Sequence, residues 1–333
     1  MTAQAVVFPE LRRASVQNVD VPAPGDGDVL VEIEHSSISP GTERWCLTGG
    51  LVIPGEAPLA FPHVPGYQAA GIVRETGKAV RGLSAGDRVF SRNCAAPPGW
   101  QGSWWGGHVG LHVAPESAVI KLPAGVSTFQ ASSLLLAQVG YNGASKPPVK
   151  PGDTAVVIGD GLVGLYAAQV LRHRGARVIL SGLVPYRLEF ARRFAADEVF
   201  DASAGDLATH ILGCCPKGVD VVVETASSAA TVRMAAGLLR NGGHLVMNGF
   251  YPPTQSMVDW HWLRTREITL HCPNSRTRER LEAALRLIES GALRVSELVT
   301  HEVPLAEAPS AYAKLLGSDA AFLGIVIRWP RPA

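Results

Sequence analysis

Thr154-Ala-Val-Val-Ile-Gly-Asp-Gly-Leu-Val-Gly-Leu165 is the stretch that decides the fold of this chain. Its apolar, β-branched beginning predicts a buried strand, and its three glycines, spaced G-x-G-x-x-G, open a helix. The first glycine permits a tight turn, the second lets the backbone approach a pyrophosphate, and the third lets the helix pack closely on the strand. Unpaired N–H groups in the first helical turn favour the bound anion. The residues predicted to hold a dinucleotide here are Gly159, Gly161, Leu162, Val163 and Gly164.

Strand-like and helical stretches alternate from Gly152 onward, which indicates βαβ units and a parallel sheet of the Rossmann, doubly wound kind. This context favours a dinucleotide-binding unit over the alternative, an ordinary glycine-rich turn in an α/β protein. The predicted strands are Thr154–Ile158, Arg177–Leu180, Val219–Glu224 and His244–Asn248. The predicted helices are Leu162–Arg174, Arg187–Phe194, Ala229–Leu239 and Arg278–Glu289.

The part before about residue 125 contains short apolar runs broken by Gly and Pro, which predicts a small β-barrel-like domain. Ser127 is expected to cap a helix through Ala131–Val139. Strand character at Phe322–Arg328 suggests that the tail returns to the first domain. We therefore predict one domain over 1–126 with 297–333 and a dinucleotide-binding domain over 127–296. The predicted early strands are Ala5–Phe8, Val29–Ile33, Ala69–Val73, Arg88–Phe90 and Ala118–Lys121.

The end of the second Rossmann strand normally carries an acidic residue for the adenosine ribose, but here Gly182 occupies that position and no carboxylate follows until Glu189. Ser181 and Arg187 could supply donors to a 2′-phosphate. The sequence therefore predicts NADP(H) rather than NAD(H), with an Arg187 that is only a solvated charge as the alternative. Asn248 completes the predicted cofactor-binding set.

The composition of the chain limits the classes of partner that it is expected to bind. The formal net charge of +1 gives no electrostatic reason to bind nucleic acid or an acidic membrane surface. No apolar run is long enough for a membrane span, and the first residues lack the pattern of a secretory signal. The five cysteines are scattered without a Cys-x-x-Cys pair, which argues against a cysteine-rich zinc site. We expect a cytoplasmic protein that binds a small molecule.

Over essentially its whole length the chain resembles the medium-chain dehydrogenase/reductases. That resemblance implies a GroES-like catalytic domain, a Rossmann domain inserted in it, and a homodimeric or homotetrameric assembly. The family-like pieces are Pro22–Gly25, Val29–Ile33, Pro65–Gly71, Gly86–Val89 and Lys150–Asp153. Within the family the chain is most similar to the bacteriochlorophyllide dehydrogenases, which oxidise a hydroxyethyl side chain on a chlorin ring. The pieces shared with them are Ile38–Arg44, Val64–Tyr67, Asn248–Tyr251, Ile288–Leu293 and Val299–His301.

The positions that hold catalytic zinc in family members carry other residues here. The resemblance places Pro40, Tyr67 and Leu135 where zinc-dependent relatives have their ligands. These side chains do not replace thiolate and imidazole ligands. We therefore expect no metal and no zinc in the mechanism.

Without a metal, side chains must stabilise the charge that develops on the substrate oxygen. The candidate catalytic residues are Thr42, Glu43, Tyr67 and Gln68. The alternatives are a core aromatic for Tyr67, a turn-capping hydroxyl for Thr42 and an arginine pair for Glu43. The predicted substrate pocket is aromatic and contains Trp45, Trp104 and Trp105, although Trp104 and Trp105 could instead pack under a loop or at an oligomer interface.

The functional prediction is a zinc-independent, NAD(P)-dependent oxidoreductase. It would transfer hydride between nicotinamide and a secondary alcohol or ketone on a bulky or flat substrate in a biosynthetic pathway, hydroxyethyl-chlorin oxidation being one such reaction. Two alternatives remain open: an enoyl, quinone or imine reductase of the same fold, and a dinucleotide-binding protein without catalysis.

Overall fold

A computed structural model describes residues 1–53, 55–251, 259–317 and 321–330. The chain divides into two compact units, Met1–Leu135 with Val299–Ala333, and Leu136–Leu298. The first boundary lies nine residues later than the sequence predicts and the second two residues later. The first shift has a local cause, because the hydroxyl of Thr128 donates a 2.7 Å hydrogen bond to Glu34 and so holds the following segment in the first unit.

The elements are numbered in chain order. The strands are β1 (Thr2–Glu10), β2 (Arg13–Asp20), β3 (Asp28–Ile38), β4 (His63–Val64), β5 (Ala69–Thr76), β6 (Arg88–Ser91), β7 (Ser103–Trp104), β8 (Leu111–Pro115), β9 (Val119–Lys121), β10 (Thr154–Ile158), β11 (Arg177–Gly182), β12 (Glu198–Asp201), β13 (Val219–Glu224), β14 (Leu239–Met247), β15 (Thr269–His271), β16 (Val299–Pro304) and β17 (Gly324–Arg328). The helices are α1 (Pro40–Thr48), α2 (Thr128–Ala131), α3 (Leu134–Ala144), α4 (Leu162–His173), α5 (Pro185–Phe190), α6 (Leu207–Cys214), α7 (Ala229–Leu238), α8 (Trp260–Thr265), α9 (Arg278–Glu289) and α10 (Ala308–Leu316).

The first unit is built from two sheets. A seven-stranded sheet has the order β16-β17-β3-β5-β6-β9, with β8 also paired to β3, and a four-stranded sheet has the order β2-β1-β4-β7. The long strand β3 pairs antiparallel with β5, β8 and β17, so it lies at the centre of the unit. Its final residues, Ser36 to Ile38, are buried, and α1 follows them directly.

The second unit is a six-stranded parallel sheet in the order β12-β11-β10-β13-β14-β15. The strand order reverses between β10 and β13, which is where such sheets bind ligands at their carboxyl ends. The predicted combination of a β-rich first unit and a Rossmann-type parallel sheet is confirmed.

Two of the predicted helices differ from the structure by more than one residue at an end. Ser127 does cap a helix, and Gln130 completes a capping box, but that helix ends at Ala131 and α3 begins separately at Leu134. Helix α5 runs from Pro185 to Phe190 rather than from Arg187 to Phe194, and its start reflects the preference for proline at the first helical position. Within the residues described, none of the helices combines the length and the apolar character needed to cross a membrane.

Candidate active site

The glycine-rich loop joins β10 to α4 and is shaped by close backbone contacts. Gly159 has φ +122°, a value that L side chains rarely adopt, and an added Cβ would collide with Thr225. A Cβ on Gly164 would collide with the carbonyl of Gly159. By contrast, nothing lies within 4 Å of a Cβ built on Gly161, so the start of α4 is open there. This open backbone beside the first helical N–H groups, including those of Leu162 and Val163, fits the pyrophosphate of a dinucleotide.

Glu224 is the buried last residue of β13, the strand on the other side of the strand-order reversal from β10. Its carboxylate accepts hydrogen bonds from the backbone N–H groups of Ala226 and Ser227 and from the hydroxyl of Thr231. The hydroxyl of Tyr251 also donates to Glu224. Burial, together with this carboxylate, raises the pKa of Tyr251 well above its usual value. The phenol is therefore neutral and fixes the loop after β13.

Asn248 follows β14 and acts on the same region. Its backbone N–H donates to the carbonyl of Glu224, and its side-chain amide donates to the carbonyl of Val139 at 3.2 Å. A Cβ on Gly143 would collide with the Asn248 amide. Asn248 thus holds α3 against the carboxyl edge of the sheet.

The end of β11 contains a carboxylate that the sequence reasoning missed. Asp160, from the glycine-rich loop, accepts the backbone N–H groups of Leu183 and Val184, both at 2.8 Å. Its other oxygen lies 3.6 Å from the guanidinium of Arg187. Arg187 is therefore paired rather than a solvated charge. Ser181 is 2% exposed within the sheet, and its role as a phosphate donor stays a prediction.

In the first unit, Ser36 and Ser37 at the end of β3 connect the segments that carry the predicted catalytic residues. The Ser37 hydroxyl accepts a 2.9 Å hydrogen bond from Ser133, and its carbonyl accepts one from the Gln68 amide at 3.3 Å. The Ser36 hydroxyl bonds to Nδ1 of His108 at 2.8 Å. The segments around residues 40, 67 and 135 therefore converge at one strand end.

A buried polar network lies beneath this point and was not visible in the sequence. Nε2 of His108 lies 3.0 Å from the Glu43 carboxylate, which also accepts the Tyr312 hydroxyl and the backbone N–H of Ser39. His108, Glu43 and Tyr312 are all 0% exposed. Burial and the neighbouring carboxylate raise the pKa of Tyr312 well above its usual value. The sequence signal for this network was the double glycine before His108, because a Cβ on Gly107 would collide with the backbone of the Gly66 turn.

These contacts revise two predicted roles. Glu43 pairs with His108 and Tyr312 rather than with an arginine, and its oxygens are already occupied and buried. Gln68 is 0% exposed with its amide on a backbone carbonyl. Neither side chain is exposed to a substrate in the structure.

Thr42 and Tyr67 remain accessible. Thr42 is partly buried on α1, and within the described residues its hydroxyl has no hydrogen-bond partner. Tyr67 is partly buried, with its ring centroid 5.9 Å from that of Trp105. Because the ring of His108 lies between Glu43 and the Gly66 turn, Thr42 and Tyr67 lie on neighbouring segments of one site.

The three predicted pocket tryptophans separate into two groups. Trp45 and Trp105 pack at the edge of the core that contains β3, and Trp105 also contacts His63 at 5.3 Å between ring centroids. Trp104 packs on Trp100, and its indole N–H donates to the carbonyl of Cys94 at 2.8 Å. Trp104 therefore holds a loop, which was the stated alternative, while Trp45 and Trp105 stay pocket candidates.

The residues present do not fit a catalytic zinc ion. Leu135 is buried, and Pro40 begins α1, so neither offers a ligand atom. Among the residues described, no group of three or more His, Cys, Asp or Glu side chains could hold a metal. Burial raises the pKa of Cys94 to about 11 and that of Cys46 further, so neither thiol is ionised near neutral pH.

Comparison with known proteins agrees with the fold of both units. Residues 25–124 match the family described as alcohol dehydrogenase GroES-like domain, and residues 163–290 match the family described as zinc-binding dehydrogenase. A structure from Sinorhizobium meliloti 1021 bound to NADP superposes with a TM-score of 0.86 at 26% identity, over 98% of this chain and 99% of that one.

Two curated relatives span nearly the whole chain. The 2-desacetyl-2-hydroxyethyl bacteriochlorophyllide A dehydrogenase of Cereibacter sphaeroides is 29% identical over 338 residues, 99% of each protein. The sorbitol dehydrogenase of Halalkalibacterium halodurans is 25% identical over 327 residues, 92% of this chain and 93% of that protein.

The fold and the glycine loop define a nicotinamide-dependent oxidoreductase. The chain belongs to the medium-chain dehydrogenase/reductase family.

Proposed function

We propose that the chain is a zinc-independent, NAD(P)-dependent alcohol dehydrogenase or ketoreductase that acts on a secondary alcohol or ketone of a bulky or flat substrate. The observation that carries this proposal is the convergence, at the end of β3, of three segments that bear Pro40, Tyr67 and Leu135 where zinc-dependent relatives carry ligands. The convergence is intact although the ligands are missing. A hydrogen-bond donor from the protein therefore takes the place of the metal.

In oxidation the substrate loses the hydride of its carbinol carbon and its hydroxyl proton, and in reduction it gains both. The nicotinamide, when bound, supplies the hydride chemistry. The protein must hold the substrate oxygen and donate a hydrogen bond to it as negative charge grows there. Thr42, whose hydroxyl is unpartnered among the described residues, and Tyr67, at the pocket edge, are the two candidate donors. Glu43 positions them through the buried network, and Gln68 does so through its bond to the Ser37 carbonyl.

A flat substrate is supported by the aromatic surroundings of the candidate donors. Trp105 stands beside Tyr67, and Trp45 lies on the same helix as Thr42. The name of the Cereibacter relative describes a hydroxyethyl group on a large flat ring. We therefore place a hydroxyethyl-bearing aromatic or macrocyclic compound, in a biosynthetic pathway, ahead of a polyol.

The cofactor predicted from the sequence is NADP(H), and the Sinorhizobium structure that the chain resembles is bound to NADP. The structure weakens one premise of that prediction, because Asp160 places a carboxylate at the end of β11 after all. The homo-oligomeric state and the cytoplasmic location stay predictions from the sequence.

The test is oxidation of a substrate panel by the purified chain with NAD⁺ and with NADP⁺, followed by the absorbance of the reduced nicotinamide. The panel contains 1-arylethanols, a hydroxyethyl porphyrin and sorbitol, and the reverse panel contains aryl ketones, enones, quinones and cyclic imines. We expect turnover of the flat hydroxyethyl compounds and their ketones, with products identified by mass spectrometry.

A matched pair of variants tests the aromatic pocket. Trp105→Leu should weaken turnover of the flat substrates more than that of small alcohols, whereas Trp260→Leu, at an indole 68% exposed on the other unit, should change neither. Activity confined to enones, quinones or imines would replace this proposal by the reductase alternative. Binding of dinucleotide without turnover of any compound would support the non-catalytic alternative.

A further inference from the structure

Asp160 lies between the first two glycines of the loop, but its side chain serves the neighbouring strand. One carboxylate oxygen accepts two backbone N–H groups, those of Leu183 and Val184, at 2.8 Å each. The other oxygen lies 3.6 Å from Arg187. With a side chain 11% exposed, Asp160 is held by two backbone N–H donors and one ion pair and still reaches the surface.

Position 182 has no room for a side chain because of where Asp160 lies. A Cβ built on Gly182 would come closer than 3.0 Å to the Cβ and carboxylate of Asp160, a separation that real Cβ atoms do not show. A side chain at position 182 and the observed position of Asp160 therefore exclude each other. The acidic group expected at the end of β11 is thus supplied from the glycine loop.

The consequence concerns the adenosine ribose. A 2′-phosphate needs N–H or guanidinium donors near the end of the second strand. Here those donors already bind a carboxylate, so a phosphate would lose them and would also face a like charge. A 2′-hydroxyl, in contrast, can donate to the carboxylate.

Resting on the proposed function, we infer that Asp160 is the specificity-determining residue for the dinucleotide, and that it selects NAD(H) by excluding the 2′-phosphate. Arg187 neutralises and orients Asp160 and is not itself a phosphate ligand in the native chain. This inference reverses the cofactor choice drawn from the sequence, since that choice depended on the lack of a carboxylate at Gly182.

Binding of NADH and NADPH to the full chain, measured by calorimetry and by quenching of its tryptophan fluorescence, tests the inference without any substrate. The native chain should bind NADH at least about tenfold more tightly than NADPH. Asp160→Asn keeps the size and one acceptor but removes the charge, so NADPH affinity should rise about tenfold while NADH affinity changes by less than about threefold.

Asp153→Asn is the matched control. Asp153 precedes β10 at the opposite end of that strand, and its carboxylate likewise accepts a backbone N–H, that of Lys150, at 2.8 Å. It should leave the ratio of the two affinities unchanged. Arg187→Gln separates the two roles of the arginine: it should not weaken NADPH binding in the native background, but it should remove the gain in the Asp160→Asn background.

The outcomes distinguish the inference from the proposed function. Tighter binding of NADPH by the native chain, or an unchanged affinity ratio in a folded Asp160→Asn variant, overturns the inference and leaves the proposed function standing. Failure of both dinucleotides to bind overturns both. If Asp160→Asn does not fold, the native ratio and the Arg187→Gln variant still decide, because a phosphate ligand would reveal itself by weaker NADPH binding in that variant.

Discussion

Each unit carries a candidate site of its own, and the two sites are made of different materials. In the second unit the glycine loop is a site made of backbone, shaped by the absence of side chains at Gly159, Gly161 and Gly164. In the first unit the site rests on side chains from distant segments, such as Glu43 and Tyr312. A backbone site fails when an atom is added, whereas a side-chain network fails when one is removed, because each loss leaves a buried partner unsatisfied.

The largest effect should follow from breaking the side-chain network. Glu43→Gln keeps the shape of the side chain but loses an acceptor for the groups that surround it, His108, Tyr312 and the Ser39 N–H. Leaving fully buried donors without their acceptor costs about 1–3 kcal/mol for each group. We expect that loss in the free energy of unfolding, measured by urea denaturation.

Glu302→Gln is the control for this change. Glu302 pairs with Arg328 at 3.1 Å, but both side chains are exposed, so the pair contributes less than about 1 kcal/mol. Equal stability losses in the two variants would show that the buried network does not stabilise the first unit.

The same contrast explains how far the sequence could predict the structure. The glycine loop is local: spacing over six residues carries its geometry, and the fold and the cofactor-binding loop followed from it. The network joins Ser36, Glu43, His108 and Tyr312, which are far apart in sequence, and no spacing rule connects them. The role of Asp160 could not be predicted for another reason. Asp160 lies inside the glycine motif but binds the end of the next strand, and only the collision at Gly182 reveals this.

The second prediction concerns turnover. Thr42→Val and Tyr67→Phe each remove one hydroxyl and keep the volume, so the variant that loses the true donor should fall about 10²–10³-fold in kcat. Thr42 is the stronger candidate, because its hydroxyl has no partner within the described chain. Dinucleotide affinity, measured by fluorescence titration, should stay within about threefold in both variants, since the glycine loop is untouched.

Near-normal turnover in Thr42→Val together with a large loss in Tyr67→Phe would pass the role to Tyr67. If both variants remain active, neither hydroxyl is the donor, and water or a substrate group supplies the proton. Thr48→Val is a suitable control on the same helix, because the Thr48 hydroxyl already donates to the carbonyl of Arg44 at 2.9 Å.

The third prediction concerns pH and the buried histidines of the first unit. Burial lowers the pKa of His63 to about 4, and that of His112 to about 3. The unfolded chain binds these protons near the ordinary value of 6.5, so it holds more protons than the folded chain below that pH. The contribution of these neutral histidines to the free energy of unfolding is therefore fully present above about pH 6.5. It is lost as the pH falls towards 4, and for His63 alone the loss is about 3 kcal/mol.

Urea denaturation at pH 7, 6, 5 and 4.5 measures this loss. Nε2 of His63 is buried without a partner in the structure, so His63→Phe removes the titrating group and keeps a ring of similar shape. That variant should lose less stability than the native chain between pH 7 and 4.5. Parallel pH curves for the two proteins would contradict the assignment.

The fourth prediction tests the backbone site. Gly161→Ala adds a methyl group in open space, so folding should change little, but the methyl group lies where a pyrophosphate would approach. We expect about tenfold weaker dinucleotide binding by calorimetry. Gly164→Ala is the informative contrast: its methyl group would meet the carbonyl of Gly159, so the midpoint of unfolding should fall. If Gly161→Ala binds as tightly as the native chain, the loop does not hold the pyrophosphate.

The smallest expected effect is that of a chelator, which should leave turnover unchanged. The converging positions Pro40, Tyr67 and Leu135 provide no thiolate or imidazole, so zinc has no part in the proposed mechanism. Elemental analysis should find no stoichiometric zinc, and prolonged dialysis against EDTA should not change kcat.

Adsorbed metal needs to be separated from catalytic metal in that experiment. Nδ1 of His244 and Nε2 of His271 lie 3.1 Å apart in the second unit, and two such nitrogens can hold a metal weakly. His271→Gln removes that pair without touching the segments around Tyr67. Zinc that disappears in His271→Gln while turnover persists is adventitious and leaves the proposal intact. One zinc per chain that survives in His271→Gln, and whose removal by EDTA abolishes turnover, would show that a metal centre exists despite the missing ligands and would reject the zinc-free mechanism.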